Sequence, residues 1–556
     1  MSARLAQRPI SVFVLLAFVF GAANFTFSQT DNWLGGTGYW SNGSNWSAGL
    51  PIASSDVVIN SGGTDLVYFD TGTAINSLTI GNDGFCPCSD LETATTLTLD
   101  VAGPTLIAQT GSLGINGGTV NTSSLVLHSF GSVVISSGTL NLTNQLGGLT
   151  NIPFGAYVDI AGGFNDVLGG SSGFAHMTSV AGELILENGQ TITITPNGGL
   201  LSVNTPYTNL DVSNNSYVII NGDVHNFGGS EVSVDSFPGN SGSRLDVTGN
   251  FFNDAGSYFI LANAGSVVNF GSFTNKGAAF ITASLNLTNQ PNGITDVVAG
   301  SQIFLVGNLE TFTAGPNNAL YQLTSVEGTL GLENSQTTTS TPIKGTFTIG
   351  SAGYVEVATG TTFNINGNVV IDPGGTLSIN DPFPTGVNIT GTLTNNGGHV
   401  NVVGPNGFLN AGGIGNGGLL TLPEGSTVNL ASGFYQLAKG TLGETIGASG
   451  FSILAVNGGL VMLDGKLDVM LDPGFNPAIG TIYKFLLFND GALSGTFSTI
   501  DKQPFNNGTE YWVVNYDNAN GYVSLTAESV PEPSSLWLLG SGLLSVAYGV
   551  RRRRPH

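Results

Sequence analysis

The nine residues 218–226, Val-Ile-Ile-Asn-Gly-Asp-Val-His-Asn, decide the fold class of this chain. Val218, Ile220 and Val224 are apolar residues in one alternating phase, a glycine stands at the centre, and an asparagine closes the stretch. Alternation with a period of two places the apolar side chains on one face of a β-strand. The central glycine indicates a bend between two short strands, and the final asparagine suits a turn with left-handed backbone.

The same pattern recurs along the chain at intervals of about 25 residues. A strand, a bend, a second strand and a turn describe one coil of a β-solenoid, whose stacked coils line a continuous interior with apolar side chains. We therefore expect an all-β fold, a right-handed parallel β-helix with internal repeats that spans residues 91–460. Further copies of the pattern occupy residues 245–253, 363–369 and 387–395.

A row of β-sandwiches and a β-propeller are the alternative all-β architectures. Sandwich domains would be separated by linkers rich in proline or charge, and residues 90–460 contain no such linker. A propeller needs a repeat of about 40–50 residues, which is longer than the interval observed. The parallel β-helix is the interpretation that we favour.

A longer duplication lies on top of the coil repeat. Residues 140–145 (Leu-Asn-Leu-Thr-Asn-Gln) recur without change as residues 285–290, and residues 178–190 closely resemble residues 324–336. Both pairs are separated by about 145 residues. A duplicated unit that stays in phase over this distance favours stacked coils, because each repeat then contacts only its neighbours.

The two ends of a solenoid need caps, because an open coil exposes its backbone and its apolar interior. Residues 29–90 are expected to form the N-terminal cap and the first coils. Their tryptophan-glycine opening resembles that of secreted β-helical and autotransporter-like proteins. The tryptophan rings either plug the end of the core, which we favour, or act as candidate glycan contacts. These residues are Trp33, Trp40 and Trp46.

Residues 461–529 are expected to form the C-terminal β cap. Residues 483–488 and 511–516 are strongly apolar and aromatic strand candidates. This part of the chain resembles the terminal β segment that precedes sorting tails in related secreted proteins.

Residues 530–556 form a tail in which a Pro-Glu-Pro motif, an apolar stretch and a run of arginines follow in that order. This order resembles the PEP-CTERM sorting tail of Gram-negative bacteria. The resemblance implies recognition by an exosortase-type membrane enzyme, which processes substrates bound for the cell surface or the exopolysaccharide matrix. The motif consists of Pro531, Glu532 and Pro533. The basic run consists of Arg551, Arg552, Arg553 and Arg554.

The apolar stretch of the tail predicts a short transmembrane helix. Residues 536–550 would span about 22 Å as a helix, less than the hydrocarbon core of about 30 Å. The arginines would stay on the cytoplasmic side, so the inner membrane would hold the protein transiently during export. The apolar residues that carry this prediction are Leu536, Trp537, Leu538, Leu539, Leu543, Leu544, Val546 and Val550.

The N-terminus also predicts export. Arg4 and Arg8 precede the apolar residues 10–23, and small and polar residues follow. This is the layout of a secretory signal peptide, which we place at residues 1–28. Cleavage after Ser28 is preferred, and cleavage after Ala23 is the alternative.

The composition excludes nucleic acid as a partner. The formal net charge is −23, and all but one of the 36 acidic residues lie within residues 29–529. A nucleic-acid site needs clustered cations to replace the counterions of the phosphates, and the basic residues of this part are few and scattered. Residues that are 41% hydrophobic and only 9% charged also favour a folded core over disorder.

Enzymes that cut acidic polysaccharides also use parallel β-helices, and they need clustered acids beside basic residues. Arg244 is the only arginine within residues 29–529, and the lysines are scattered. Asp159 and Asp166 are the one acid pair that we single out, without evidence that they lie close together. The sequence therefore predicts no catalytic residue.

Histidines and cysteines give no stronger signal. His399 follows two glycines but precedes Val400, so a Gly-His-Gly motif is absent. His128, His176 and His225 each stand alone among strand residues. The two cysteines, Cys86 and Cys88, are too few for a closed zinc site. We expect no metal and no cofactor.

These observations predict an exported, non-catalytic β-solenoid at the cell surface or in the extracellular matrix. It would be structural or adhesive in an exopolysaccharide or biofilm context, with an exosortase-type enzyme and extracellular polysaccharide as partners. A β-helical polysaccharide lyase or hydrolase with an unrecognised site is the alternative. An adhesin that binds a host or neighbouring cell is a third hypothesis.

Overall fold

The computed structural model describes residues 28–530, with gaps at 85–87, 95, 308, 312–316, 334, 381–382, 449 and 503–504, together with 541–546 and 548. Its chain winds into an all-β solenoid of about 18 turns, with parallel pairing between successive coils. The expected parallel solenoid is confirmed, and its right-handed sense stays a prediction. Two short 3₁₀ helices accompany the strands at Gly43–Asn45 and Asn506–Gly508.

Three short strands form each regular coil. Tyr217–Ile220 and Asp223–Phe227 lie on one flank of the solenoid, and Glu231–Val234 lies on another. In the next coil the two flank strands merge into the bent strand Arg244–Asn253, whose register shifts between Val247 and Asn250. The sequence motif therefore corresponds to the two flank strands and the bend between them.

Glycine occupies the bend because two backbones approach closely there. A Cβ atom on Gly222 would lie 2.4 Å from the carbonyl oxygen of Gly199, and one on Gly271 would lie 2.4 Å from that of Gly249. Real Cβ atoms do not come this close to another heavy atom. The glycine at the centre of the motif is thus a packing requirement.

One flank is a continuous sheet that runs along the whole solenoid. Its strands pair in parallel from coil to coil, and the short strand Gly450–Phe451 is added in antiparallel orientation. Its parallel strands are Thr37–Tyr39, Asp65–Phe69, Ser89–Thr93, Gly111–Ile115, Ser132–Ile135, Tyr157–Ile160, Glu183–Leu186, Asn209–Val212, Glu231–Val234, Tyr258–Leu261, Ala278–Ile281, Gln302–Leu305, Thr329–Leu332, Tyr354–Ala358, Thr376–Asn380, His399–Val403, Leu419–Leu422, Thr441–Gly447, Lys466–Leu471 and Thr499–Lys502.

The remaining strands form three lateral sheets that follow one another along the solenoid. The first consists of Gln29–Asn32, Ser55–Ile59, Thr73–Ile75, Ser77–Ile80, Thr98–Ile107, Thr119–Leu127, Thr139–Leu142, Gly163–Asp166 and Ser171–Ser172. The second consists of Asn151–Ile152, Ser179–Val180, Thr191–Ile194, Leu200–Asn204, Tyr217–Ile220, Asp223–Phe227, Arg244–Asn253, Val267–Asn275, Ser284–Leu287, Leu309–Thr311 and Asn317–Asn318. The third consists of Asp296–Val297, Ser325–Val326, Thr337–Ser340, Thr346–Ile349, Thr362–Ile365, Asn368–Ile371, Thr385–Asn395, Gly407–Asn416, Thr427–Gln436, Ile453–Val456, Val461–Leu463, Ile482–Leu487, Leu493–Gly495, Glu510–Asp517 and Tyr522–Ser529.

The duplication of about 145 residues corresponds to the length of one lateral sheet. Gln145 accepts a hydrogen bond from the backbone N–H of Leu125 (2.7 Å), and Gln290 accepts one from that of Phe273 (2.8 Å). Each glutamine also donates to a glycine carbonyl three residues on. The next lateral sheet begins shortly after each of them. The repeated sequence thus lies near the end of one lateral sheet and just before the start of the next.

The interior of the solenoid is apolar, as the alternation predicts. Val218, Ile220 and Val224 on the lateral sheet, and Val232 and Val234 on the continuous sheet, are at most 1% exposed. Phenylalanines fill the interior in the following coils, where the rings of two of them stack at 4.4 Å. Burial of this apolar surface along every coil is the main source of stability.

The asparagine that closes the motif has a role other than the predicted one. None of Asn226, Asn253 and Asn395 has the positive φ of a left-handed turn, and all three are buried. The Nδ2 atom of Asn226 donates to Oδ1 of Asn253 in the next coil (2.8 Å). The prediction of a left-handed turn is wrong because the side chain points inward, where a neighbouring amide satisfies it.

The inward amides form a chain of hydrogen bonds in the C-terminal half, which we call the inward ladder: Asn395, Asn416 and Gln436. Asn395 donates to Oδ1 of Asn416 (2.9 Å), and Asn416 donates to Oε1 of Gln436 (2.9 Å). Asn416 also donates to the carbonyl oxygen of Thr441 (3.0 Å). All three side chains are at most 2% exposed, so these bonds replace water inside the core.

Both ends of the solenoid carry clustered aromatic residues. Trp46 packs edge-on against Trp33 and Trp40, with ring centroids 4.9 and 4.8 Å apart. At the other end, the antiparallel pair Glu510–Asp517 and Tyr522–Ser529 follows the last coils and buries Trp512 completely. The domain boundaries predicted from the sequence stay predictions.

The tail gives no support to a transmembrane helix. Within the described part of the chain, no helix is long enough and apolar enough to cross a membrane. Residues 541–546 and 548 are helical, and Leu543 and Leu544 are 63% and 73% exposed. Most of the predicted span from 536 to 550, the Pro-Glu-Pro motif and the arginine run lie outside the described residues. So does the predicted signal peptide, apart from Ser28.

Candidate functional site

A groove on the third lateral sheet is the first candidate site. It crosses the strands Thr385–Asn395, Gly407–Asn416 and Thr427–Gln436 where each of them bends, and its volume is about 600 Å³. Small residues at the bends leave the space open. We call it the flank groove, and its lining consists of Asn388, Ile389, Thr390, Asn410, Ala411, Gly412, Asn429, Leu430, Ala431 and Asn457.

Asparagine side chains run along the flank groove in a regular row. Asn364, Asn388, Asn410 and Asn429 share one register position in four successive coils. We call these four residues the outward ladder. Each Nδ2 donates to the side chain of the preceding coil, at 2.8 Å for Asn388, 2.8 Å for Asn410 and 3.0 Å for Asn429. Asn364 continues the row weakly to Oγ1 of Thr339 (3.4 Å).

The outward ladder uses only half of its hydrogen-bonding capacity. An asparagine amide has two N–H donors and two acceptor lone pairs. Within the ladder, Asn388 and Asn410 each use one donor and one lone pair. The second N–H and the second lone pair of each are therefore available toward the groove. The row ends at Asn429 because Ala455 occupies its register position in the next coil.

All ten residues that line the flank groove are uncharged. Ile389, Ala411 and Leu430 are buried in the core beneath the amides, and the exposed aliphatic groups of the groove belong to Thr390 and Ala431. An arrangement of amides beside exposed methyl groups can bind a ligand that has both hydroxyl groups and C–H surface. It offers no counter-charge to an ionised ligand.

Sequence reasoning missed these residues. The signal was an asparagine between two inward-facing apolar residues, as in Val387-Asn-Ile389. This triplet alone does not locate a groove. Asn141 has the same setting in the first lateral sheet, where it donates to Asn121 (2.8 Å) but does not line the flank groove.

A second candidate is a group of carboxylates on the outer face of the continuous sheet. Burial raises the pKa of Asp211, despite hydrogen bonds from serine hydroxyls that include Ser233 (2.7 Å). Burial, and then the negative charge of Asp211, also raises the pKa of Glu231. The pKa values of Asp159 and Glu183 are raised in the same way. Raised carboxyl pKa values are typical of acid catalysts and also of crowded structural acids.

The structure does not bring Asp159 and Asp166 together. Asp159 belongs to the continuous sheet, whereas Asp166 ends a strand of the first lateral sheet. Asp166 is 1% exposed and accepts hydrogen bonds from the backbone N–H groups of Gly147 (2.7 Å) and Gly169 (2.8 Å). Its role is to hold a loop, so this acid pair is not a catalytic dyad.

Arg244 and two of the histidines pair with nearby aspartates. Arg244 donates two hydrogen bonds to Asp246, at 2.9 and 2.8 Å, and lies over the ring of Tyr217. His128 pairs with Asp83 (2.8 Å) and His225 with Asp254 (2.7 Å). Across the described ranges, no group of three or more His, Cys, Asp and Glu residues could hold a metal ion.

The other residues singled out from the sequence lie apart. The Nδ1 atom of His176 is 3.1 Å from the carbonyl oxygen of Thr195, and His399 is exposed on the continuous sheet. Cys88 is exposed, and Cys86 lies outside the described residues.

The three N-terminal tryptophans cannot act as the candidate glycan contacts in this structure. Trp33, Trp40 and Trp46 are 2%, 0% and 3% exposed, so their ring faces contact the core and one another. The Nε1 atom of Trp46 donates to the carbonyl oxygen of Trp40 (2.9 Å). This packing agrees with the interpretation of the tryptophans as a plug.

Residues 529–554 match the family described as the PEP-CTERM protein-sorting motif. The chain therefore ends in a PEP-CTERM sorting motif, which implies processing by an exosortase. The match covers the tail and leaves the solenoid unassigned. Among curated proteins, none is significantly similar to the chain.

Two solved structures show weak similarity to the chain. A TibC-catalysed hyper-glycosylated fragment of TibA is 13% identical over 79% of this chain and 99% of that chain, with a TM-score of 0.18. The Haemophilus influenzae Hap adhesin is 10% identical over 87% of this chain and 66% of that chain, with a TM-score of 0.26. At these TM-scores neither likeness carries an argument about function.

Proposed function

We propose that this protein is an exported, non-catalytic β-solenoid of a Gram-negative cell surface or extracellular matrix, with a structural or adhesive role in exopolysaccharide. The observation that carries the proposal is the PEP-CTERM sorting motif at the end of a chain built from stacked parallel coils. The polar, uncharged flank groove and the acidic composition support it, because both suit a soluble extracellular environment.

The proposed route begins with a signal peptide at residues 1–28. The tail then holds the chain at the inner membrane through residues 536–550, with the arginines on the cytoplasmic side. An exosortase-type enzyme recognises Pro531, Glu532 and Pro533 and releases the solenoid from this anchor.

Localisation tests the proposal directly. The full-length protein is expressed in a host with its exosortase and in the same host without it, and the C-terminal mass is measured after cell fractionation. We expect a mature protein without the arginine run at the surface or in the matrix of the first host. In the second host, and in an E532A variant, the unprocessed chain should stay with the membrane.

E528A is the matched control, because Glu528 is exposed and lies just outside the matched motif. It should be processed like the wild type. An intact C-terminus at the surface of a host that has the exosortase would contradict the proposed sorting.

The alternative function is a polysaccharide lyase or hydrolase that uses the carboxylates around Asp211. Raised carboxyl pKa values on the continuous sheet are the one observation that favours it. A panel of neutral and acidic polysaccharides incubated with the purified protein should remain uncleaved. Cleavage that is lost in both D159N and D211N would overturn the non-catalytic proposal and establish the alternative.

A further inference from the structure

We infer that the flank groove binds an uncharged polysaccharide chain that lies along the axis of the solenoid. This inference deepens the proposed function and relies on it for the presence of glycan around the protein. It assigns a ligand class to one place on the molecule, the row of amides at the bends of three successive coils.

The spacing of the amides fits a polymer. Neighbouring parallel strands are about 4.8 Å apart, so Asn388, Asn410 and Asn429 present the same group once per coil. An extended glycan presents hydroxyl groups at a comparable repeat along its length. Because each central amide keeps one N–H and one lone pair, it can donate to one hydroxyl group and accept from another.

The charge of the site excludes a polyanion. The lining contains no cation that could pair with a uronate or a sulfate, and the net charge of −23 repels anionic chains. It also contains no carboxylate that would attract a cationic glycan. A neutral glycan is not repelled by the negative net charge and needs no charged partner in the lining.

The exposed carbon atoms of the lining account for the remaining contacts. Thr390 and Ala431 are exposed beside the amides, and their methyl groups can contact the C–H groups of sugar rings. No lining residue is aromatic, so each sugar gains little binding free energy by stacking. The affinity must therefore come from several sugars that bind at once, and it should rise with the length of the chain.

The experiment uses the purified full-length protein in affinity electrophoresis. The neutral probes are dextran, galactomannan and xyloglucan, and the anionic probes are alginate and polygalacturonate. We expect at least one neutral polysaccharide, and neither anionic one, to retard the protein. The N388A/N410A double variant should bind at least about tenfold more weakly, because two amides that each contact the glycan are lost.

N141A is the matched control, because Asn141 has the same ladder bonds but lies outside the groove. It should bind like the wild type. Thermal unfolding of each variant shows that it is folded. Oligosaccharides of increasing length from the retained glycan should bind progressively more tightly in calorimetry.

Retention of none of the neutral probes, or equal loss in N141A and N388A/N410A, would overturn the inference. Preferential retention of alginate or polygalacturonate would overturn it as well. None of these results bears on the sorting of the protein, which is read from its C-terminal mass. Failure of the inference and failure of the proposed function are therefore distinguishable.

Discussion

The outward and inward ladders share three strands and still have opposite characters. Asn388 and Asn395 belong to one strand, and Asn410 and Asn416 belong to the next. In the outward ladder, Asn410 donates toward the N-terminal coil. In the inward ladder, Asn416 donates toward the C-terminal coil. Asparagine side chains stacked at the same spacing thus donate their hydrogen bonds in opposite directions within one coil.

The difference shows that burial decides whether the amide groups not used within a ladder bond to other protein groups or remain available. Inside, the second N–H of Asn416 donates to the carbonyl oxygen of Thr441, so both donors of this buried amide are satisfied within the protein. Outside, the second N–H of Asn410 faces the groove. The inward amides therefore contribute to stability, whereas the outward amides remain available for recognition.

The largest expected effect is the loss of an inward amide. N416A removes the acceptor of Asn395 and the donor to Gln436 and Thr441, and it leaves these buried groups unsatisfied. We expect a loss of about 2–4 kcal/mol in the local free energy of opening. Hydrogen exchange of the strands Gly407–Asn416 and Thr441–Gly447 measures it. A loss no larger than that of N410A would remove the distinction between the ladders.

A buried acid in the same coils extends the comparison. A carboxyl group is neutral only when it is protonated, whereas an amide is always neutral. Glu444 is fully buried, and burial raises its pKa well above the usual value near 4.5 despite hydrogen bonds from Ser452. The folded state therefore binds this proton more tightly than the unfolded state. Stability is fully present below the unfolded pKa and is lost as the pH rises through the folded pKa.

The E444Q variant should lose this part of the pH dependence. We expect its thermal midpoint to fall less than that of the wild type between pH 5 and pH 8. Thermal unfolding followed by circular dichroism at several pH values measures the difference. E528Q, at an exposed strand end, serves as the control and should behave like the wild type. Parallel curves for E444Q and the wild type would show that Glu444 does not titrate in this range.

A smaller effect is expected where an acceptor replaces a donor in the outward ladder. N410D keeps the bond from Asn429 but removes the donor to Asn388, so that two oxygens face each other. We expect a loss of about 1 kcal/mol at pH 7, because solvent can reach both groups. Hydrogen exchange at the strands Thr385–Asn395 and Gly407–Asn416 reports it. A loss as large as that of N416A would mean that the outward ladder is structural.

The smallest effect is expected at the end of a similar row of side chains on the first lateral sheet. Asp100 accepts a hydrogen bond from Asn121 (2.7 Å) and, as an acceptor, ends the row of the first lateral sheet. D100N leaves that bond possible and adds a donor that water can satisfy. The change in the thermal midpoint should correspond to less than about 0.5 kcal/mol. A clear loss of stability in D100N would show that the charge of the Asp100 carboxylate, and not the hydrogen bond from Asn121, stabilises this end of the row.

The sequence predicted the repeating parts of the fold well. The alternation at Val218 and Ile220 correctly indicated inward-facing strands, and Gly222 correctly marked the bend. The repeated Leu-Asn-Leu-Thr-Asn-Gln predicted a unit of about 145 residues, and the second and third lateral sheets begin at Asn151 and Asp296. Its role at the junction of two lateral sheets was not predictable, because Gln145 bonds to Leu125, in a neighbouring coil.

The candidate site was less predictable. The alternation places Asn395 in phase with the inward apolar residues and Asn388 in the opposite phase, but it does not show that neighbouring amides bond to either of them. The tryptophans posed the same difficulty, since a ring in a glycine-rich segment can be a plug or a platform. Their burial depends on contacts with the first coils, which the sequence does not reveal.

By itself, the sequence determined the strand pattern, the coil repeat and the sorting motif. Each of these depends on residues that are close together in the chain, where the alternation of apolar residues and the order of motifs are directly visible. Only the tertiary structure decided which groups each asparagine bonds to, which way each ladder runs and where a groove opens. Those properties depend on neighbours one coil away, which are distant in the sequence.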